Sequence, residues 1–168
     1  MKKRKSKQPW QAGDVFLIST QDGRHLVGQI LAHEPRAMNS ASCVFFDWSV
    51  ENAAEVEKAG KLPVERIFST LLVTRDHLDD SIWKVIANRP ICLSQEMFPY
   101  EKLRAGGFVG AKITGTAIVR AFLNAFRGLI PWDDWHDPNY LDLSLIHISG
   151  VAGAALVAAV GAAKSSGR

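Results

Sequence analysis

Residues 129–142, "LIPWDDWHDPNYLD", hold Trp132, Trp135, Tyr140, His136 and the carboxylates of Asp133, Asp134, Asp137 and Asp142, with no lysine or arginine among them. Asp133, Asp134, His136 and Asp137 are oxygen and nitrogen donors of the kind that bind a divalent ion. Consecutive residues converge on one ion only where a tight loop wraps them. The segment has no EF-hand spacing, no His-x-x-x-His pair and no cysteine cluster, so neither a metal nor a cofactor is expected. Paired carboxylates can also serve acid–base catalysis, which requires one of them buried with a raised pKa. Nothing in the chain marks such a pair.

Nucleophilic chemistry has no better support. Cys43 and Cys92 sit in apolar stretches, "SCVFFDW" and "PICLS", as reduced core thiols do. No Gly-x-Ser-x-Gly elbow is present. His25 and His33 fall on or beside a hairpin, His77 in a turn and His147 near the end, each an ordinary place for a surface or packing histidine. The glycine-rich "AGGFVGAKITG" (105–115) is not a phosphate loop, because Lys112 follows Ala111 and no Ser or Thr follows the lysine. Glycines at a sheet bend explain it. The chain is expected not to be an enzyme.

What remains for 129–142 is binding. Tryptophan and tyrosine bury much area at low entropy cost and are favoured at interface centres. Four carboxylates are not buried together unpaired, so they form a negative strip that favours basic partners.

The elements that would carry this strip are mostly strands. Val15–Thr20 and His25–Ala32 flank Asp22-Gly23, which predicts a tight hairpin through a type I′ turn. Further strands are expected over 41–49, 66–74 and 82–88, the last with Trp83, Val85 and Ala87 alternating, and a sixth after the glycine-rich stretch. A polar, helix-prone loop, "SVENAAEVEKAGKLP", ends at Pro63, and "RDHLDDS" makes a polar turn. One amphipathic helix follows Thr116, a candidate cap. Its stripe is Ile118, Phe122, Ala125 and Phe126, Arg120, Asn124 and Arg127 lie off it, and Gly128 ends it. The pattern predicts an α+β fold: a small, strongly bent antiparallel sheet or SH3-like partial barrel of about six strands with a C-terminal helix packed on it.

At 168 residues, 47% of them apolar, the chain can bury one core. Its pI near 9.0 is misleading. Lys2, Lys3, Arg4, Lys5 and Lys7 make a basic start, expected to be a disordered tail over 1–9, whereas residues 8–142 carry more acid than base. The globular domain is expected over 10–142. No apolar signal region follows the basic start. From residue 143 the chain is rich in alanine and glycine and lacks acid, weak for a membrane span. "LSLIHIS" is what the mosaic-end DNA of a tagmentation transposase encodes in one frame. Residues 143–168 are therefore expected to be read through an adapter junction and to stand outside the functional domain.

The basic start, "GDVFLISTQDGRHLVGQIL", the middle "WKVIANRPI" and the close "DPNYLD" together resemble the immunity protein 26 family of bacterial polymorphic toxin systems, over most of residues 10–142. The family ending normally continues past the equivalent of Asp142 with a few more apolar residues; here "LSLIHIS" follows. The resemblance implies a cytoplasmic antidote that binds a cognate toxin and blocks it, with no cofactor and no membrane partner. Charge and aromaticity put the contact at Asp133, Asp134, Trp135 and Asp137, with Glu51, Glu55 and Glu57 of the middle loop as a second patch and a basic toxin domain as partner. A rival reading is a small SH3-like adaptor for nucleic acid or peptide; the scattered positive charges outside the first residues disfavour nucleic acid.

Overall fold

The computed structural model describes residues 6–93 and 101–131. Asp22-Gly23 does turn the chain, joining β1 (Asp14–Ser19) to β2 (His25–Glu34). The turn is not type I′, because Gly23 has φ +78° while Asp22 is absent from the left-handed residues. Gly23 N donates to Thr20 O at 3.2 Å and Thr20 N to Arg24 O at 3.0 Å, which makes a type I turn closed by a left-handed glycine. Asp22 Oδ1 accepts from Thr20 Oγ1 (2.6 Å) and Arg24 N (3.2 Å), a local bonding pattern that favours this turn.

The remaining strands are β3 (Ser40–Val50), β4 (Ile67–Val73), β5 (Lys84–Asn88) and β6 (Ile113–Thr114). They form one open sheet in the order β5-β1-β2-β3-β4-β6, antiparallel except for the β4–β6 pair. The expected α+β class and six strands are thus present. The register shifts at Val15/Phe16, Leu26/Val27, Ile30/Ala32 and Phe45/Phe46 are irregularities of the kind that bend and twist a strand locally. The first of them also breaks the alternation expected along β5. Val85 packs with Trp83 on one face, but Ile86 and Ala87 both pack on the other.

Both faces are covered. Phe16, Ile18, Phe45, Phe68 and Trp83 meet α4 (Thr116–Phe126) on one side. Val15, Val27, Val44 and Phe46 meet Val56 and Leu93 on the other. A Cβ on Gly28 would stand 2.5 Å from Phe16 Cζ, so only glycine lets that ring cross β2.

Three shorter helices accompany α4 among the described residues: α1 (Ala53–Ala59), in the segment expected to be a helix-prone loop, α2 (Asp76–Asp79) and α3 (Glu101–Ala105). On α4, Phe122, Ala125 and Phe126 point inward as expected, but Val119 and Leu123 are buried with them while Ile118 is half-buried. Asn124 is also buried: its Oδ1 accepts from Gln21 N at 2.8 Å and its Nδ2 donates to Arg120 O. The N-cap is Gly115; Thr116 sits one position later and donates its hydroxyl to Asp76 Oδ2 at 2.6 Å. Gly128 ends the helix at φ +71°, with Gly128 N bonded to Ala125 O and Leu129 N to Asn124 O, a Schellman closure.

Gln8 N donates to Asp79 O, its amide donates to Leu78 O and Trp83 O, and its Oε1 accepts from Val85 N. These four bonds hold Gln8 against the sheet.

Candidate functional site

Asp133, Asp134, Trp135 and Asp137 lie outside the described residues. The chain leading to them is anchored as far as Ile130, which packs against the α4 face of the core, and Pro131 is exposed.

Glu51 and Glu55 meet at the start of α1, where both serve local structure, and Glu57 lies further along the same helix. Asn52 Oδ1 caps the helix by accepting from Ala54 N at 3.0 Å, and Glu55 Oε1 accepts from Glu51 N at 2.7 Å. Glu51 pairs with Arg24 Nη1 at 3.1 Å; with 71% of its side chain exposed, the pair contributes little to stability. Glu57 is exposed and has no side-chain partner among the described residues. The far end of α1 is closed by Arg89, which donates to Gly60 O at 2.7 Å and to Glu57 O at 3.4 Å.

A second acidic constellation, unmarked in the sequence beyond a polar turn, surrounds α2. Asp79 is buried, yet it accepts from Lys7 Nζ (2.8 Å), Trp10 Nε1 (2.9 Å) and Arg75 Nε (3.0 Å). Trp10 in turn stands edge-on to His33, 5.3 Å away, and His33 Nε2 bonds Asn39 Oδ1 in the β2–β3 turn. Asp76 accepts from Thr74 Oγ1 and Thr116 Oγ1, both at 2.6 Å, and lies 3.0 Å from His77 Nδ1. Residues 7 to 116 thus meet around one turn, a convergence that local patterning cannot reveal.

Burial pushes the Asp79 carboxyl up, but the bonds from Lys7, Trp10 and Arg75 and the Arg75 charge outweigh it and hold the group below its usual range. A folded-state pKa below the unfolded value, about 3.9, stabilises the fold at higher pH. That contribution is lost as pH falls through about 4 and below. Asp79→Asn should therefore cost about 2 kcal/mol at neutral pH, and urea melts at a series of pH values should show a flatter acid limb for the variant.

Among the described residues, the other candidate chemical groups are absorbed by the fold. Burial raises both free thiols, Cys92 to about 11 and Cys43 further, so neither is a thiolate at neutral pH. His25 Nδ1 contacts Ser19 Oγ at 3.2 Å, and His77 lies edge-on to Trp83 at 5.6 Å. The glycine-rich stretch forms a turn with Gly107, Phe108 and Gly110 all at positive φ, tucking Phe108 against Ala37 and Leu72 ahead of β6. Among the described residues no group of three His, Cys, Asp or Glu side chains is placed to hold a metal ion, and no helix is long and apolar enough to cross a membrane.

A family model described as Immunity protein 26 matches residues 11–107, more than half of the chain. The match spans five of the six strands, α1, α2 and α3. Neither a curated protein nor a solved structure matches the chain.

Proposed function

The chain belongs to the immunity protein 26 family, whose general role is toxin neutralisation, and on that premise we propose that it binds one cognate bacterial toxin domain in the cytoplasm and blocks it by occupying its surface. The match over 11–107 is the observation that carries this reading. An antidote of this kind needs a complementary surface and no turnover.

The contact is assigned to Asp133, Asp134, Trp135 and Asp137, with Glu51, Glu55 and Glu57 as a second patch, and the toxin domain is taken to be basic. Rings supply buried area, and carboxylates speed encounter with a positive partner. The adaptor reading loses support from the fold, since an exposed sheet face is what such a module would offer and both faces here are covered.

Co-expressing the chain with candidate toxin domains tests the reading directly: one domain should cease to kill. Asp133→Lys with Asp134→Lys should then slow association about tenfold or more at low salt, with less effect at high salt. Surface-plasmon kinetics against that domain, with its own activity disabled, provide the check. Unchanged association kinetics would move the contact away from this segment.

A further inference from the structure

We propose that the groove between the β2–β3 turn and the β4–α2 connection seats a lysine- or arginine-bearing segment of the cognate toxin. The proposal rests on the toxin-binding reading and gives it a second surface within the described fold. The open groove encloses about 450 Å³; Met38 and Ile113 supply its apolar side and Asp76 and Asp80 its exposed carboxylates.

Charge selects the occupant. Asp79, also at the groove, takes both Lys7 and Arg75, so the charged side chains of the lining leave the groove one net negative charge. Asp76 keeps 53% of its side chain exposed and lies 3.0 Å from His77 Nδ1; Asp80 is exposed. Among the described residues, no lysine or arginine pairs with either carboxylate. An apolar segment laid here would strip water from both without replacing it, and an acidic one would be repelled. A lysine or arginine satisfies both sides: its aliphatic stem lies along Met38 and Ile113 while its head reaches the carboxylates.

Met38 is placed for that contact. It is 85% exposed, on a left-handed backbone at φ 51°, followed by Asn39 at φ 57°. Asn39 is held through His33, and Ala37 packs on Leu72 and Phe108, so the tip presenting the thioether is fixed from both sides. An unbranched, polarisable side chain adapts to an incoming stem. Ile82, 56% exposed, lies in an adjoining hollow that shares Asp80 and extends the apolar contact beyond the groove.

Asp80→Lys combined with Met38→Gly tests this. Neither side chain has a partner that the fold requires, and glycine suits the left-handed backbone at 38, so thermal melting should not fall. The probe is the toxin domain against which the chain protects in co-expression, purified with its activity disabled. The double variant of the full chain should bind it about tenfold or more weakly. Unchanged affinity, with the wild-type chain still binding, would overturn the groove and leave toxin neutralisation standing. A wild-type chain that binds no toxin domain would overturn both. Concentration-dependent self-association abolished by Asp80→Lys would make the occupant a second copy of the chain, which also overturns the proposal.

Discussion

Trp83→Ala should remove about 3–5 kcal/mol of folding stability, the range for truncating a large buried ring, and that is a large share of the 5–15 kcal/mol that holds a typical domain together. The indole is 1% exposed and stacks on Phe16 at 5.3 Å with an interplanar angle of 6°; Phe45 meets it edge-on at 6.2 Å. Its backbone N–H donates to His77 O and its carbonyl accepts from Gln8 Nε2. The ring therefore joins the sheet, the α2 turn and the N-terminal arm at one point. Neighbours anchored by those bonds cannot collapse far into the vacated space, so the cavity term stays large. Trp83→Phe keeps a ring on Phe16 and should lose less. Urea denaturation of both variants is the measurement, and a midpoint for Trp83→Ala close to that of the wild type would contradict this packing.

Trp83 also marks what a sequence can and cannot convey. The hairpin at Asp22-Gly23, the six strands and the closure of α4 at Gly128 were readable because each depends on residues near one another, through turn preference, alternation or helical period. That Trp83 and Val85 share a face was readable from alternation, but the bulge at Val15/Phe16 that throws Ile86 and Ala87 to one face depends on the partner strand. Buried polar groups were not readable at all. Gln29 is 0% exposed because its amide donates to Gly13 O, Arg89 O and Pro90 O and its Oε1 accepts from Cys92 N, partners up to 63 positions away. The left-handed turn at Met38 and Asn39 was equally hidden, since "PRAMNS" contains no glycine to announce it. For the site, the acidic segment at 133–137 stood out because its residues are contiguous. The α2 constellation did not, because Lys7, Trp10, His33, Asp79 and Thr116 meet only in three dimensions.

Long-range polar contacts of this kind should make some substitutions costlier than their surface position implies, and Arg104→Ala is the sharpest case. Glu34 ends β2 at 4% exposure, and Arg104 on α3 engages both of its carboxylate oxygens, Nη2 on Oε1 and Nε on Oε2 at 3.2 Å. Ser42 Oγ donates to the same carboxylate at 3.2 Å. Truncating the arginine leaves a buried charge with a hydroxyl in place of a guanidinium. Because Arg104 keeps about a third of its side chain exposed, the loss should fall at the low end of the 3–5 kcal/mol for breaking a buried pair, about 3 kcal/mol. Adding Glu34→Gln to Arg104→Ala should restore much of the stability at pH 7, since a neutral amide can still accept from Ser42 at a smaller desolvation penalty. Chemical denaturation of the two single variants and the double at pH 7 gives the coupling energy. Additive losses would show that the pair is solvated and that α3 is held by Leu103 and Phe108 alone, whereas a rescued double variant would identify charge burial as the force that fixes α3 beside the β2–β3 turn.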